Sequence, residues 1–542
     1  MGRAKRSAVS LRTDGTAPPF TRILVANRGE IAVRIMRTCR DMGIQTVAVY
    51  SDADVDAMHV RMADTAVRLG PAPAEQSYLL GDAIIAAAVA TGAQAIHPGY
   101  GFLSERSAFA RAVNDAGVAF IGPTPEGIDA LGDKLVARRT VSAQDVPVVP
   151  GTFEAALVDR PDGVAAIVAA AKQIGFPLMV KAAAGGGGRG MRRVTNALEL
   201  PAALASGSAE ARAAFGDGSV FLEREVRPAR HIEVQLLGDQ HGTVVALGER
   251  DCSIQRRHQK LVEESPAPGL TVDERTAVHG MAVRAARAAG LQSAATAEFL
   301  FDTQRRFWFL EVNARLQVEH GVTELVTNLD IVAEQLWIAA GAPLSDRVHA
   351  AAQSSLDPER HALQVRLYAE DPSRAFAPAP GRITSWVMPS SMGVRVDTGV
   401  RAGDRVPPDY DAMIAKIMTV GPDRHTAIAR MRRALRETEI TGIQTTLPFG
   451  RAIVSDAAFI DGTGLSTEWV AERWDGEASR TAAAEVAARI AAGVVIAGTA
   501  IGTIDGLVSV RKDKDHPRSV AGSADTAWRN AGRSAAVDRW PR

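Results

Sequence analysis

Cysteine is nearly absent from this chain, which has only Cys39 and Cys252 in 542 residues. Two thiols cannot build a disulfide framework, so a reducing compartment such as the cytoplasm is expected. The N-terminus lacks the apolar core of a secretory signal. The uncharged run from Ile490 to Ile504 is too short to span a bilayer. These absences argue against a secreted, disulfide-rich or membrane-spanning protein.

An excess of one charge is also missing, because 62 basic residues balance 62 acidic ones. That balance argues against a nucleic-acid or membrane-surface role driven by bulk charge. Lysine itself is rare and supplies only eight of the 62 basic residues. In a chain that uses arginine by default, a lysine inside a motif suggests that a compact, mobile point charge is needed. Lys134, Lys181 and Lys260 stand in such places.

Two familiar glycine signatures of nucleotide binding are missing. The turn Asn27–Glu30 is not G-x-G-x-x-G, and the loop Ala184–Met191 lacks the G-K-[ST] ending of a P-loop. The loop nevertheless holds five glycines in six residues, follows Lys181 and contains Arg189. It is expected to stay mobile until a ligand binds beneath it, when its N–H groups can approach phosphate oxygens. A plain flexible hairpin tip is the alternative.

The first 122 residues predict a β-α-β opening with a parallel sheet. Strands are expected at 22–26 and 45–50, and a helix from Gly29 to Met42 joins them. Residues 123–150 predict a connector, with a helix starting near Thr124 and Gly132–Lys134 lying either within that helix or at a break. A smaller unit with two helices and several strands follows from about 153. Beyond 226 the sequence predicts a hairpin, a helix at 273–289 and a strand at 295–301.

Residues 309–320 (FLEVNARLQVEH) alternate polar and apolar side chains, as in a strand. Glu311, Asn313 and Arg315 would share one face with Phe309, and Gln317 and Glu319 would join them if the chain stays extended. Leu310, Val312, Leu316 and Val318 would take the other face. Glu and Asn offer the oxygen ligands that Mg²⁺ prefers, and an arginine fork can hold a small oxyanion. An amphipathic edge strand with a solvated polar face is the alternative.

Two neighbouring segments add to this face. Glu298 lies on the strand expected to pair with the one carrying Glu311 and Asn313, which predicts a divalent-metal site. Residues 250–260 (RDCSIQRRHQK) are dense in donors and too irregular for a helix face, and a solvated basic turn is the alternative. Cys252 within them is expected to be a packed thiol rather than a nucleophile, because nothing nearby marks it as activated.

Taken in order, the motifs resemble those of biotin carboxylase, the ATP-grasp component of biotin-dependent acyl-CoA carboxylases. The resemblance covers roughly 20–470 without large gaps. Its motifs are ILVANRGEIA (23–32), HPGYGFLSE (97–105), GPTP (122–125), the glycine loop, 250–260, 311–320, QVRLYAEDP (364–372) and PPDYDAMIAK (407–416).

The resemblance implies an α/β, three-domain ATP-grasp fold. A Rossmann-like pre-ATP-grasp domain (20–122) would follow a disordered leader (1–19), for which a transit peptide or an N-terminal extension are the alternatives. A connector (123–152), a mobile lid (153–225) and the ATP-grasp and C-terminal domain (226–470) would come next. An Ala-rich helix and a polar tail would occupy 471–542.

The resemblance also implies the site residues, carried over motif by motif. Nucleotide contacts are implied for Lys134, Lys181, Gly187, Gly188, Glu223, Arg224, Glu225, Val226, His231, Gln255 and His258. Two Mg²⁺ ions, or Mn²⁺, are implied at Glu298, Glu311 and Asn313. Bicarbonate binding is implied for Lys260, Arg315, Gln317 and Val318. Catalytic roles are implied for Lys260, Arg315, Glu319 and Arg366, with Glu319 as the base and Arg366 facing the ureido group of biotin.

Departures from the family pattern are small. Ala184 trims the glycine loop, Arg224 stands in the segment Glu223 to Val226 that the resemblance implies as the adenine hinge, and Gly321 replaces a frequent proline, where slight extra flexibility is expected. The chain contains no Met-Lys-Met biotin-attachment hairpin. Biotin is therefore expected on a separate carrier protein, with a separate carboxyltransferase, and family resemblance suggests a homodimer.

The segment 476–542 is expected to contact one of these partners. Trp528 and Trp540 are the candidate anchors, and an unstructured end is the alternative. Two other functions remain open. One is a catalytically silent assembly or regulatory paralogue, and the other is a different ATP-grasp ligase that forms an acyl-phosphate.

Overall fold

The N-terminal region is organised around a parallel sheet, as the β-α-β pattern predicts. The computed structural model describes residues 17–158, 161–183, 191–481, 484–485 and 488–489. Five parallel strands follow the order β3-β2-β1-β4-β5. The elements are β1 (Arg22–Val25), α1 (Gly29–Asp41), β2 (Gln45–Ser51), α2 (Met58–Met62), β3 (Thr65–Gly70), α3 (Gly81–Thr91), β4 (Ala95–His97), α4 (Ser107–Asp115) and β5 (Ala119–Phe120).

Two capped helices, α5 (Pro125–Gly132) and α6 (Lys134–Ser142), form the connector. The Thr124 side chain accepts a hydrogen bond from the Gly127 amide, and Pro125 occupies the first helical position, where its missing N–H costs nothing. The Asp133 carboxylate accepts from the amides of Leu135 and Val136. The predicted break is therefore a cap that places Lys134 at the first turn of α6.

A small three-stranded antiparallel sheet, in the order β7-β6-β8, forms the middle region. Apolar side chains such as Ile167, Val180, Leu204 and Leu222 give it a core of its own. The predicted glycine loop, with Gly187 and Gly188, lies outside the described residues. The elements are α7 (Pro161–Ile174), β6 (Leu178–Ala182), β7 (Arg192–Val194), α8 (Leu200–Phe215) and β8 (Val220–Arg224).

An eight-stranded antiparallel sheet in the order β13-β12-β9-β10-β11-β14-β21-β19 dominates the remainder. Its strands are β9 (Ala229–Gly238), β10 (Val244–Arg256), β11 (Gln259–Ser265), β12 (Ser293–Asp302), β13 (Phe307–Asn313), β14 (His361–Tyr368), β19 (Val394–Thr398) and β21 (Met413–Gly421). The helices packed around it are α9 (Val272–Ala288), α10 (His320–Thr327), α11 (Ile331–Ala339), α12 (Asp346–Ser354) and α13 (Arg424–Glu437).

Short elements complete the C-terminal part. They are β15 (Glu370–Asp371), β16 (Ala377–Pro378), β17 (Gly381–Arg382), β18 (Ser385–Val387), β20 (Arg405–Val406), β22 (Glu439–Thr441), α14 (Leu447–Ile453), α15 (Ala457–Asp461) and α16 (Trp469–Arg473). Most of the expected helix 481–502 and the whole polar tail, with Trp528 and Trp540, lie outside the described residues. None of the helices in the described ranges combines the length and the apolar character needed to cross a bilayer.

The chain does not stay extended through Glu319, so the condition for one continuous alternating strand is not met. Strand β13 ends at Asn313, where the Arg315 amide donates to the Asn313 carbonyl 2.9 Å away and turns the chain. A bulge also shifts the register between Glu298 and Phe299, so that Glu311 pairs with Glu298 but Phe309 pairs with Phe299. Phe309 is consequently buried in the core, not on the polar face as expected, and Leu310 lines a cavity.

The segment 250–260 is not a solvated turn. It forms the end of β10 and the start of β11, joined at Arg257 and His258, both of which have positive φ. Arg250 is fully buried, and Cys252 is a buried free thiol, as predicted. Burial and the surrounding carboxylates raise the pKa of Cys252 well above its usual value, so the thiol stays protonated.

Candidate active site

A cavity of about 1130 Å³ lies where the three regions meet. Within the described part of the chain, all the predicted site residues but one line it, and the exception, Glu319, is fully buried behind it. The lining residues from that set are Lys134, Lys181, Glu223, Arg224, Glu225, Val226, His231, Gln255, His258, Lys260, Glu298, Glu311, Asn313, Arg315, Gln317, Val318 and Arg366.

Three carboxylates surround the Lys260 ammonium at one end of the cavity. Lys260 Nζ lies 2.9 Å from Glu298 Oε1 and 2.7 Å from Glu319 Oε1, and it also bonds Glu233. Strands β9, β11 and β12 supply Glu233, Lys260 and Glu298, which converge because side chains on one face of a sheet point the same way. Burial alone would lower the pKa of Lys260, but the three carboxylates raise it well above its usual value.

His231 faces two of the same acids. Its Nε2 lies 3.2 Å from Glu298 Oε2 and 3.6 Å from Glu233 Oε2. Burial opposes a charged imidazole, yet the Glu298 carboxylate outweighs this and the pKa of His231 rises to about 9. A protonated His231 adds a second positive charge to this end of the cavity.

Glu319 is held by cations on both of its oxygens. Lys260 contacts Oε1, and Arg366 Nη2 lies 2.9 Å from Oε2. Burial and the neighbouring Glu233 would raise the pKa of Glu319, but Lys260, Arg366 and Arg250 together lower it below its usual value. Glu319 is therefore an ionised carboxylate.

The turn after β13 brings Arg315 to the site. Its guanidinium bonds Asn313 Oδ1 and Gln317 Oε1, each at 2.8 Å, and Glu105 Oε2 at 2.9 Å. Glu105 comes from the N-terminal region and exposes 41% of its side chain, so a ligand can reach this pair. These three hydrogen bonds thus fix the orientation of the Arg315 guanidinium, which lines the cavity.

Glu298 and Glu311 sit directly opposite each other on β12 and β13, and Thr296 pairs with Asn313. The Asn313 amide donates to Glu298 Oε1 at 2.9 Å. Burial and the charge of Glu298 raise the pKa of Glu311, and within the described part of the chain no group donates a hydrogen bond to its carboxylate. Two facing acids beside an amide, one of which is only partly offset by Lys134 and Lys181, fit a hard divalent cation. His231, Glu233 and Glu298 also place ligand atoms within 4.8 Å of one another.

The other end of the cavity is basic. Lys181 and Arg138 both bond the buried Glu223 carboxylate, and Lys134 lies nearby, where burial lowers its pKa. In the predicted adenine hinge, the Arg224 and Glu225 amides are already used by the carbonyls of Pro150 and Pro177. Among the described residues, no acceptor pairs with the Val226 amide, so of the amides of residues 224–226 it is the one left to donate to a ligand.

Sequence reasoning missed four groups that hold the predicted residues in place. The four missed groups each form an ion pair with a predicted residue: Glu233 with Lys260, Glu263 with Arg366, Arg138 with Glu223, and Glu105 with Arg315. Glu105 stands inside a motif already singled out, and Glu233 lies on a predicted strand. Their partners are 27 to 210 residues away, so no local pattern indicated the pairing.

Three family models match the chain. They are "Biotin carboxylase, N-terminal domain" over 19–128, "Carbamoyl-phosphate synthase L chain, ATP binding domain" over 133–347 and "Biotin carboxylase C-terminal domain" over 364–472. The biotin carboxylase of Nostoc sp. is 48% identical over 453 residues, which cover 84% of this chain and 99% of that protein.

Two solved structures illustrate the same likeness. A biotin carboxylase from Campylobacter jejuni in a β-γ-ATP complex is 43% identical with a TM-score of 0.79, covering 84% of this chain and 99% of that one. The biotin carboxylase domain dimer of Hydrogenobacter thermophilus 2-oxoglutarate carboxylase contains MgADP, ADP and bicarbonate. It is 42% identical with a TM-score of 0.78, covering 84% of this chain and 97% of that one.

Proposed function

The chain belongs to the biotin carboxylase family, and from that membership and the site geometry we propose that it uses ATP and bicarbonate to carboxylate biotin on a separate carrier protein. The proposal is supported above all by the buried Glu319 carboxylate, whose two oxygens are hydrogen-bonded by Lys260 and by Arg366. This group lies at one end of a cavity whose other end carries Lys134 and Lys181.

Bicarbonate is a poor nucleophile until it loses its remaining proton. In the proposal, the anion binds to Arg315, Gln317 and the Val318 amide and competes with Glu319 for Lys260. As Lys260 turns toward the anion, Glu319 loses a cation and its pKa rises toward that of a working base. Glu319 then takes the proton.

The activated bicarbonate attacks the terminal phosphate of ATP, releasing ADP and forming carboxyphosphate. Lys134 and Lys181 stabilise the phosphate charge electrostatically. A divalent cation held by Glu298, Glu311 and Asn313 would neutralise further phosphate charge. The glycine loop, with Gly187 and Gly188, would cover the cavity and exclude water, because carboxyphosphate decomposes in water.

Carboxyphosphate breaks down to CO₂ and phosphate, and the phosphate takes the N1 proton of biotin. The ureido oxygen then carries negative charge, and N1 attacks CO₂. Arg366 is the cation for that oxygen, because it lines the cavity and is held rigid by Glu263 and Glu319. Tyr368 accepts from its third nitrogen, Nη1, at 3.3 Å.

The nucleotide contacts proposed from the family pattern are supported by position alone. The residues concerned all line the cavity and are Glu223, Arg224, Glu225, Val226, His231, Gln255 and His258. The carboxyltransferase that receives the carboxyl group, a homodimeric state and a cytoplasmic location belong to the same proposal. Two buried free thiols among the described residues fit a reducing compartment.

The test is bicarbonate-dependent ATP hydrolysis by the full-length chain, with and without free biotin. We expect hydrolysis to require bicarbonate and to increase with biotin. A silent paralogue would bind nucleotide without turnover, and another ATP-grasp ligase would hydrolyse ATP without responding to biotin. A lack of stimulation by free biotin and by biotinylated carrier protein overturns the proposal.

A further inference from the structure

We propose that His320 and Lys416 are positioning residues that fix the two peptide planes flanking Val318 and so present the Val318 amide to the bound oxyanion. The inference rests on the proposed function, in which Val318 belongs to the bicarbonate site. Neither side chain lines the cavity, so neither is assigned contact with substrate.

The carbonyl groups on either side of Val318 are both anchored. His320 Nδ1 lies 2.6 Å from the Gln317 carbonyl oxygen, which also accepts from the His320 amide at 3.3 Å. Lys416 Nζ donates to the Val318 carbonyl at 2.9 Å. The Gln317–Val318 and Val318–Glu319 peptide planes are therefore each fixed by a buried side chain.

The Gln317 carbonyl shares its peptide plane with the Val318 N–H, so His320 fixes that N–H directly, whereas Lys416 holds the next plane and so limits rotation of the chain at Val318. Both peptide bonds are trans, and in a trans peptide the N–H points away from the C=O of the same plane. The Val318 N–H is therefore directed away from the buried His320. Val318 lines the cavity, and among the described residues none accepts a hydrogen bond from its amide. An unpaired backbone donor beside a cavity is suited to an anionic ligand.

His320 is suited to a fixed donor role. It is fully buried, and the Gln317 carbonyl can only accept, so Nδ1 carries the proton. Burial, Lys416 and Arg34 keep the pKa of His320 well below its usual range, so the ring stays neutral in one tautomer. Its Nε2 has no hydrogen-bond partner among the described residues and lies 3.8 Å from Glu324 Oε2.

Lys416 connects three parts of the molecule. It is fully buried on β21, and besides the Val318 carbonyl it contacts Glu30 Oε2 on α1 at 3.1 Å and Asp397 Oδ2 on β19 at 3.9 Å. The three N–H donors of an ammonium point out of any single plane, whereas those of a guanidinium all lie in one plane. A lysine suits this position for that reason.

The test compares full-length variants by the KM for bicarbonate in ATP hydrolysis and by the Kd for MgATP. An asparagine amide nitrogen can take the place of Nδ1, whereas a glutamine amide reaches the place of Nε2. We expect His320→Gln to raise the KM for bicarbonate about tenfold, the value of one hydrogen bond. His320→Asn should stay within about threefold of wild type. Lys416→Met should act like His320→Gln, and MgATP affinity should change less than twofold throughout.

Lys416→Met leaves Glu30 buried without its ammonium, so Lys416→Met/Glu30→Gln is measured if the single variant does not fold. An unchanged KM in wild-type-like, folded His320→Gln and Lys416 variants overturns the inference, as does an equal loss in His320→Asn and His320→Gln. A parallel loss of MgATP affinity also overturns it, because that would indicate general damage. If wild-type protein shows no bicarbonate-dependent hydrolysis, the proposed function itself fails.

Discussion

Arg366 and Glu319 form a buried ion pair at the edge of the cavity, with Arg366 Nη2 2.9 Å from Glu319 Oε2. Forty-seven residues separate them along the chain. Strand β14 carries the arginine, and Glu319 immediately precedes α10. Lys260 occupies the other oxygen of Glu319. Glu319, the proposed base, is thus ionised between Lys260 and Arg366, the two cations that the proposed substrates would contact.

Replacing that base should separate binding from turnover. Glu319→Gln keeps the shape of the side chain but cannot take a proton, so we expect ATP hydrolysis to fall at least about 100-fold. Nucleotide affinity should change little, because Lys134 and Lys181 lie at the other end of the cavity. Steady-state kinetics and MgATP titration measure the two effects. Glu126→Gln, at an exposed acid outside the cavity, is the matched control. Wild-type turnover in Glu319→Gln would refute the role of Glu319 as base.

Glu311→Gln tests the cation site through stability. Burial and Glu298 raise the pKa of Glu311, so its ionised form is unfavourable in the metal-free protein. An amide removes that repulsion, and the Tm of the metal-free protein should rise or stay unchanged. The same change replaces a negatively charged carboxylate, proposed to bind the cation, by a neutral amide. The increase in Tm on adding Mg²⁺ with ADP should therefore be smaller than in wild type. An undiminished increase would show that Glu311 does not hold the cation.

The pH dependence of stability should report on His231. Its folded-state pKa is raised to about 9 from an ordinary 6.5, so its contribution is fully present below pH 6.5. That contribution is lost as pH rises through about 9, by at most about 3 kcal/mol. Denaturant unfolding in EDTA should therefore show wild-type stability falling between pH 6.5 and 9.5. His231→Gln should show a smaller decline, and an identical decline would contradict a charged His231.

Local sequence patterns predicted much of this architecture. Thr124 marks a helix start, and Glu298 pairs with Glu311 as the strand order indicates, whereas the second helix start at Asp133 was not predicted. The bulge beside Phe309 was not predictable, because alternation alone does not reveal an extra residue in one strand. Its presence depends on how β12 and β13 fit together.

Contacts between residues far apart in the chain make up the part of the site that the sequence did not predict. Glu105 and Arg315 are 210 residues apart, and Lys416 reaches the Val318 carbonyl across 98 residues. Such contacts depend on how three regions pack, which periodicity and spacing do not encode. The residues of each motif could be identified from the sequence. The groups that hold them in place could be identified only from the folded structure.

Gly321 shows the same dependence, because the expected extra flexibility at this position has no support in the packing. A Cβ on Gly321 would lie 2.3 Å from Met418 Sδ, so the methionine occupies the space that a side chain would need. Met418 is fully buried and packs with Val322 and Ala362. Met418 on β21 therefore fills the space beside Gly321, and the first turn of α10 is tightly packed.

Gly321→Ala should consequently destabilise the protein, although alanine favours a helix over glycine by about 1 kcal/mol. Displacing buried Met418 costs about 1–3 kcal/mol and outweighs that gain. Met418→Ala alone should cost about 2–5 kcal/mol by leaving a cavity. In the double variant the new methyl group enters that cavity. The loss of stability in the double variant should therefore be smaller than the sum of the losses in the two single variants. Urea unfolding of the four proteins gives the coupling energy, and strict additivity would mean that Gly321 and Met418 do not compete for the same space.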